Sequence, residues 1–177
     1  MDEKLLDLRS QLGFYKFYHH DPKNVLIHAI FVPTILFSSL SMLHRIKLYH
    51  GISLTALISV LFFIFYCLLY LPTGLLAGFF LLSLNLALVD HRIHLSFKQE
   101  LSLFVIGWIF QFVGHGVFEK KRPALMDNLV QSLVLAPYFI MFEFLFKIGC
   151  MPQLKANLEH DLEVKQKDLE NSRNKNE

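Results

Sequence analysis

Four histidines lie beside or inside apolar segments of this sequence, and imidazole is the commonest metal-binding side chain. In the stretch FYKFYHHDPKNVLIH, His19 and His20 precede an apolar run and His28 lies just inside it. His115 lies near the end of a later apolar run. Ionisable groups at membrane depth are costly and tend to mark functional sites, although a lone histidine is more often a hydrogen-bonded structural residue. The pattern therefore raises the hypothesis of a metal site.

The chemistry of such a site depends on which ligands accompany the imidazoles. Cys67 and Cys150 are isolated in the sequence, so no thiolate pair is indicated. Neutral imidazoles without thiolates suit zinc, iron, copper or nickel. His20 is a candidate fourth imidazole, and Glu119 is a candidate carboxylate. The residue types alone do not choose among these metals.

Polar side chains at helical spacing accompany two of the histidines. Asn24 precedes His28 by four residues, and Gln111 and Glu119 lie four residues on either side of His115. Side chains at this spacing share one helix face. Amides and carboxylates placed there can hydrogen-bond the second nitrogen of a metal-bound imidazole and fix its orientation. The two neighbours of His115 are glycines, which allow another helix to approach closely.

The elements that must position these residues are predicted to cross a membrane. The 177-residue chain is 54% hydrophobic and 18% charged, with a mean hydropathy of +0.42, whereas soluble domains carry about 25% charged residues. Three tracts, 24–43, 48–89 and 101–118, contain no Asp, Glu, Lys or Arg. A span needs roughly 20 apolar residues. The central tract is therefore long enough for two, with the turn predicted at Pro72-Thr73-Gly74.

We predict an all-α fold, a polytopic membrane helical bundle of four to five spans. Residues 1–150 form the membrane-embedded catalytic domain, and residues 151–177 form a polar C-terminal tail. An interfacial amphipathic helix is expected over residues 1–21, because Leu5, Leu8, Leu12 and Tyr15 recur at helical spacing. The predicted spans are about 24–43, 52–70, 74–89 and 101–117, with a fifth candidate at 128–148 that Glu143 and Lys147 interrupt.

Alternation of these spans across the bilayer sorts the histidines into two groups. The first span begins and the fourth span ends on the same side of the membrane. His19, His20 and His28 are therefore predicted to gather beside His115. The remaining loop histidines fall on the opposite side, where solvated residues or lipid-headgroup contacts are the simpler interpretation; they are His44, His50, His91 and His94.

Several function classes remain open at this point, and others are not indicated. The sequence contains no nucleotide-binding glycine motif and no basic and aromatic array typical of nucleic-acid binding. A non-enzymatic scaffold or membrane-shaping protein of the endoplasmic reticulum is consistent with the central hairpin and the amphipathic N-terminal helix. A bis-histidine haem protein is a further alternative, with His28 and His115 as the axial ligands.

Three stretches carry a resemblance to a known family. They are YHHDPKNVLIH (18–28), LPTGLLAG (71–78) and WIFQFVGHGVFEKKRPALMDNLVQSLVLAPYF (108–139). Together they resemble the fungal endoplasmic-reticulum 2-hydroxy fatty acid dioxygenase family, over nearly the whole membrane part of the chain. The family's motif histidines correspond to His19, His28 and His115.

The resemblance implies an iron(II)-dependent enzyme with His19, His28 and His115 as metal ligands and catalytic residues. Such an enzyme converts a 2-hydroxy fatty acid and O2 into a fatty acid one carbon shorter and CO2, in phytosphingosine breakdown. Its expected location is the endoplasmic reticulum membrane as a multi-pass protein, in contact with membrane lipids. Just past the fourth span, a basic triplet can attract the acid's carboxylate or act as a topology signal; it is Lys120, Lys121 and Arg122.

Overall fold

The computed structural model describes residues 6–120 and 131–174, and these residues are mainly helical, as predicted. Pairing of extended backbone there is limited to one isolated bridge, between Lys47 and Ser53. The α-helices are α1 (Leu8–Tyr18), α2 (Pro22–His44), α3 (Leu54–Leu69), α4 (Leu71–Val89), α5 (Phe97–Val113), α6 (Ala136–Lys147) and α7 (Pro152–Asn174). The short turns are a 3₁₀ turn (Tyr49–Gly51) and two π-helical turns (Gly114–Glu119 and Gln131–Leu135).

The four predicted spans fall on α2, α3, α4 and α5. Three helices are long and apolar enough to cross a bilayer: α2, α4, and α5 continued through its π-helical turn to Glu119. At 16 residues, α3 is apolar but shorter. The second π-helical turn and α6 meet α7 at a bend of 111°, and this bent pair is a fourth candidate. The chain is therefore a helical membrane protein with three to four candidate spans in its described part.

The turn between α3 and α4 falls at Tyr70 and not at the predicted Pro72-Thr73-Gly74. Pro72 lies in the first turn of α4, where a missing N–H removes no helical hydrogen bond. Gly74 lies against the backbone of α3, because a Cβ at this position would come within 2.5 Å of the Cys67 nitrogen. Gly74 thus allows two helices to pack closely, and α4 begins at Leu71 instead of residue 74.

Close antiparallel packing of α2 and α5 forms one side of the bundle. The ring of Phe31 stacks on that of Phe110 with centroids 4.3 Å apart. Further along, Gly107 lies against Ile35, since a Cβ on Gly107 would be 2.5 Å from Ile35 Cγ1. These contacts bring the first turns of α2 beside the C-terminal end of α5.

A buried carboxylate ties the opposite ends of α2 and α5 together. Glu100 at the start of α5 is 2% exposed. It accepts a hydrogen bond from the Ser41 hydroxyl at 2.7 Å, and both of its oxygens accept from the Arg45 guanidinium at 2.9 Å. Arg45 also donates to the Leu95 carbonyl. A buried charge with this many partners is compatible with the low-dielectric interior, and it closes the bundle at that end.

The two ends of the chain pack on each other. Leu12 and Tyr15, from the apolar stripe predicted for the N-terminal helix, are buried in the core that also holds Leu158 of α7. Arg9 of α1 forms a two-pronged ion pair with Asp161 of α7, at 2.7 and 2.8 Å. The stripe therefore faces protein at these two positions, and the polar C-terminal segment forms a helix that contacts α1.

We expect the packing of α3 on α4 to depend on the absence of a side chain at Gly74. Gly74→Ala introduces a Cβ into the Cys67 backbone, and overpacking of this kind costs about 1–3 kcal/mol of the free energy of unfolding. Gly13→Ala on α1 is the matched control, because a Cβ there meets no described atom within 4 Å and alanine favours the helix by up to about 1 kcal/mol. Thermal unfolding in detergent, followed by circular dichroism, compares the two variants. Equal midpoints would contradict the packing role.

Candidate metal centre

Three of the histidines highlighted in the sequence converge at one end of the bundle. His19 caps the C-terminus of α1, His28 lies on the second turn of α2, and His115 lies in the π-helical turn after α5. Their ring centroids are 4.4, 4.8 and 4.9 Å apart in pairs. One potential ligand nitrogen from each lies within 4.8 Å of the other two. Side chains from three separate elements thus surround a single point.

Backbone carbonyls fix the orientation of two of the imidazoles. His19 Nδ1 donates to the Tyr15 carbonyl at 2.7 Å, and His28 Nδ1 donates to the Asn24 carbonyl at 2.9 Å. A carbonyl oxygen only accepts, so in both rings Nδ1 carries the proton and Nε2 carries the lone pair. Metal-binding histidines commonly have this arrangement. The expected side-chain amides are not the groups that orient these two rings.

The histidines leave buried nitrogen atoms without partners. His19 Nε2 and His115 Nδ1 are inaccessible and form no hydrogen bond with any described residue. Burial lowers the pKa of His19 well below its usual value, and the neighbouring His28 lowers it further. His19 is therefore neutral at cellular pH and can offer its lone pair. Buried polar atoms without partners are expensive, and a metal ion at the centre of the cluster would satisfy them.

Glu119 joins the π-helical turn to the start of α2. One carboxylate oxygen, Oε1, accepts hydrogen bonds from the backbone N–H of His20 at 2.8 Å and of Asp21 at 3.0 Å, and from Asn24 Nδ2 at 3.0 Å. A negative charge is favourable beside a helix N-terminus. Because Glu119 follows His115 by four residues, this clamp holds His115 against the two histidines that flank the start of α2.

Of the two glycines beside His115, only Gly114 serves the close packing expected from the sequence. A Cβ on Gly114 would lie 2.3 Å from Asn24 Oδ1, so a side chain there would push α2 away. A Cβ on Gly116 meets no described atom within 4 Å. The histidine turn and α2 therefore approach each other through Gly114.

The other candidate residues are placed differently. His20 is exposed, with its ring edge-on to Phe17, and does not join the three-histidine cluster. Gln111 is buried one turn before His115, and its Nε2 has no partner among the described residues. Lys120 is exposed at the end of the π-helical turn. Lys121 and Arg122 lie outside the described residues.

An apolar cavity of about 250 Å³ extends from the histidines into the bundle. Its polar lining consists of the three histidines, Tyr15, Gln111 and Ser39, and the other lining residues are apolar. Phe112 of α5 and Leu133 also line it, and both are about half exposed. The cavity lining therefore reaches the exposed surface of the bundle at these two residues.

Tyr15 belongs to the site, although the sequence suggested only an interfacial aromatic residue. Its ring stacks on His19 with centroids 4.1 Å apart, and its carbonyl orients the same imidazole. Its buried hydroxyl has no hydrogen-bond partner in the described part of the chain. The i,i+4 spacing between Tyr15 and His19 was the available signal.

Comparison with known proteins assigns the chain to a family. The sequence profile of the family described as "2-hydroxy-palmitic acid dioxygenase Mpo1-like" matches residues 5–148, which include all three histidines. The chain belongs to the Mpo1-like family. This result confirms the resemblance carried by the three sequence stretches.

A curated Mpo1-like relative is similar over nearly its whole length. It is the 2-hydroxy-palmitic acid dioxygenase MPO1 of Saccharomyces cerevisiae, 81% identical over 169 residues, which cover 96% of this chain and 97% of the relative. No solved structure matches the chain.

We expect metal binding by this Mpo1-like chain to require the converging histidines. In His28→Ala and His115→Ala, the metal content after anaerobic purification should fall to about a tenth or less, because loss of even outer supporting groups costs 10–100-fold in metal affinity. Exposed His94, at the other end of the bundle, supplies the control His94→Ala. Elemental analysis measures the metal-to-protein ratio. Equal ratios in all three variants would remove these histidines from the site.

The Glu119 clamp makes a separate prediction. Glu119→Gln retains an oxygen acceptor for the three N–H groups, whereas Glu119→Ala leaves them unpaired at a cost of about 1–3 kcal/mol. We expect Glu119→Ala to weaken metal affinity by about 10–100-fold and Glu119→Gln to remain near the wild type. Metal titration with a competing chelator distinguishes them. Equal losses in both variants would indicate that the charge matters, and not the acceptor geometry.

Proposed function

We propose that this chain is an iron(II)-dependent 2-hydroxy fatty acid dioxygenase. The observation that carries the proposal is the cluster of His19, His28 and His115 at the mouth of an apolar cavity, in a chain of the Mpo1-like family. The yeast relative's name supplies the substrate class and the reaction type. The proposed enzyme shortens a 2-hydroxy fatty acid by one carbon and releases CO2.

The proposed reaction balances without an added reductant. A 2-hydroxy acid, R–CH(OH)–COOH, and O2 give R–COOH, CO2 and H2O, with cleavage of the bond between C1 and C2. The organic substrate loses four electrons and O2 accepts four. Neither 2-oxoglutarate nor a nicotinamide cofactor is therefore required.

The choice of iron rests on the donor set and the reaction. Three imidazoles can hold several divalent metals, but zinc has no redox chemistry, and the reaction transfers electrons to O2. Iron(II) held by the three histidines would supply this redox chemistry. His19 and His28 would bind through Nε2, the atoms that their backbone hydrogen bonds leave with lone pairs.

Other side chains in the cavity have roles in positioning the acid. The apolar walls accept the alkyl chain and exclude water from the reacting end. Gln111 Nε2 and the Tyr15 hydroxyl are buried donors without partners in the described chain, and either can donate to the substrate's carboxylate or 2-hydroxyl. Lys120 at the exposed end of the histidine turn, with Lys121 and Arg122 beyond the described residues, can attract the carboxylate.

The membrane setting supports a lipid substrate. A fatty acid dissolved in the bilayer would reach the opening beside Phe112 and Leu133 without crossing water. We further propose that the protein is a multi-pass protein of the endoplasmic reticulum membrane and that the reaction serves phytosphingosine breakdown.

The alternatives from the sequence are less consistent with this geometry. Axial ligands of a haem lie on opposite sides of a planar macrocycle, whereas the His28 and His115 rings are 4.8 Å apart and both contact His19. No room for a porphyrin remains between them. A scaffold protein has no need for buried imidazoles with unpaired nitrogens beside a cavity, which cost stability.

Purified protein loaded anaerobically with Fe(II) should convert 2-hydroxypalmitate and O2 into pentadecanoate and CO2 in equal amounts. The measurements are oxygen uptake, CO2 release and product mass, with and without 2-oxoglutarate and NADPH. His28→Ala serves as the inactive control and His94→Ala as the active one. Iron-loaded wild type without turnover, or turnover that requires 2-oxoglutarate, would contradict the proposal.

A further inference from the structure

We propose that the cavity behind the histidines determines which acyl-chain lengths are accepted. Its depth along α2 limits the substrate to about sixteen carbons. Leu36 and Ser39 line the cavity at different positions along α2, and the buried Leu40 is the last α2 residue that lines it. This inference rests on the proposed function, because it assumes that the reacting end of the acid lies at the histidines.

The depth of the cavity follows from the helix that lines it. His28 lines its upper end and Leu40 its lower end, and both belong to α2. Twelve residues separate them, and a rise of 1.5 Å per residue gives a depth of about 18 Å. Along α5 and its π-helical turn, the interval from Phe104 to His115 gives a similar depth of roughly 16 Å. The two antiparallel helices thus give similar lengths for this part of the cavity, which we call the slot.

This depth can be converted into a number of carbon atoms. Tetrahedral geometry and a C–C bond near 1.52 Å give an advance of about 1.25 Å per bond in an extended alkyl chain. A slot of about 18 Å therefore holds roughly 14 bonds. With C2 beside the histidines, the chain ends near C16. The yeast relative is named for palmitic acid, itself a C16 acid.

At Leu40, the floor of the slot, hydrogen bonds hold α2 to α3 and α5, and their disruption by an alkyl chain would cost free energy. The Thr55 hydroxyl of α3 donates to the Leu40 carbonyl. Immediately beyond, Ser41 and Arg45 donate to the buried carboxylate of Glu100. A longer chain would have to separate these hydrogen bonds and leave a buried charge without partners. Chain length beyond the floor is therefore penalised, whereas a chain that stops short of the floor leaves part of the slot without dispersion contacts.

The wall offers two positions at which the slot can be blocked at known depths. Ser39 lies eleven residues past His28, at about 16 Å, and its small side chain lines the cavity. Leu36 lies eight residues past His28, at about 12 Å. A bulky side chain at Leu36 should therefore shorten the accepted chain by about four carbons more than one at Ser39.

The experiment compares Ser39→Phe, Leu36→Trp and wild type on 2-hydroxy acids of even chain length from C8 to C20. Ser102→Phe is the matched control, because Ser102 is an exposed residue of α5 outside the cavity. The measured quantity is kcat/KM of the iron-loaded enzymes. In wild type and Ser102→Phe it should rise to about C16 and fall beyond it. Ser39→Phe should accept chains to about C14 and lose at least tenfold on C16, and Leu36→Trp should stop near C10.

A second measurement does not depend on turnover. Trp108, the single tryptophan of the chain, lines the cavity. Its fluorescence should respond when metal-free protein binds saturated, non-reacting fatty acids, with the affinity rising to the same limit near C16. Ser39→Phe, which leaves Trp108 as the single tryptophan, should move this limit as it moves the kinetic one.

The outcomes separate the two proposals. A binding limit that shifts in Ser39→Phe, in an enzyme that converts no 2-hydroxy acid, would support the slot and overturn the proposed function. Turnover with one length profile in all variants would leave the function standing and overturn the slot. A wild-type profile without a break near C16 would also overturn it, even if both variants fold poorly.

Discussion

The close approach of α2 to the end of α5 is the contact on which the candidate site depends. At Gly107 and Gly114, the α2 side chains of Ile35 and Asn24 occupy the space that a Cβ would fill. This proximity places His28 beside His115, and Glu119 holds the contact by accepting hydrogen bonds from Asn24 and the preceding backbone. Helix packing in membranes gains little from the hydrophobic effect, because lipid is as apolar as leucine. Small residues and polar contacts such as the Glu119 clamp therefore have to determine which helices pack together.

Backbone hydrogen bonds offset part of the cost of enclosing the three imidazoles. Each ring brings two nitrogens, and backbone carbonyls satisfy one nitrogen on His19 and one on His28. The remaining lone pairs would cost about 1–3 kcal/mol for each atom left without a partner. A bound metal would remove this cost, and occupancy of the centre would then be coupled to the stability of the bundle. The apoprotein is expected to be the less stable form.

Much of this arrangement could be predicted from the sequence, and the reasons for the remainder are local. Span alternation alone brings His28 beside His115, because hydropathy determines which ends of the helices share a side of the membrane. The acceptors of the imidazole protons could not be predicted, since the Tyr15 carbonyl becomes available only where α1 ends. Glu119 was recognised by its spacing, but its partners depend on the turn at His20 and Asp21. Pro72 suggested a turn because proline is a strong turn signal, but proline is also over-represented in the first turn of a helix, which is where it lies here.

The far end of the bundle adds a constraint that hydropathy does not reveal. On α2, His28, Val32, Leu36 and Ser39 recur at spacings of three and four residues, so one helix face carries both a candidate ligand and the cavity wall. The buried Glu100 fixes the other end of that face through Ser41. The distance between a candidate metal ligand and the floor is therefore a property of a single helix. Repacking of neighbouring helices can change the width of the cavity, but its depth changes only if the length or the shape of α2 changes.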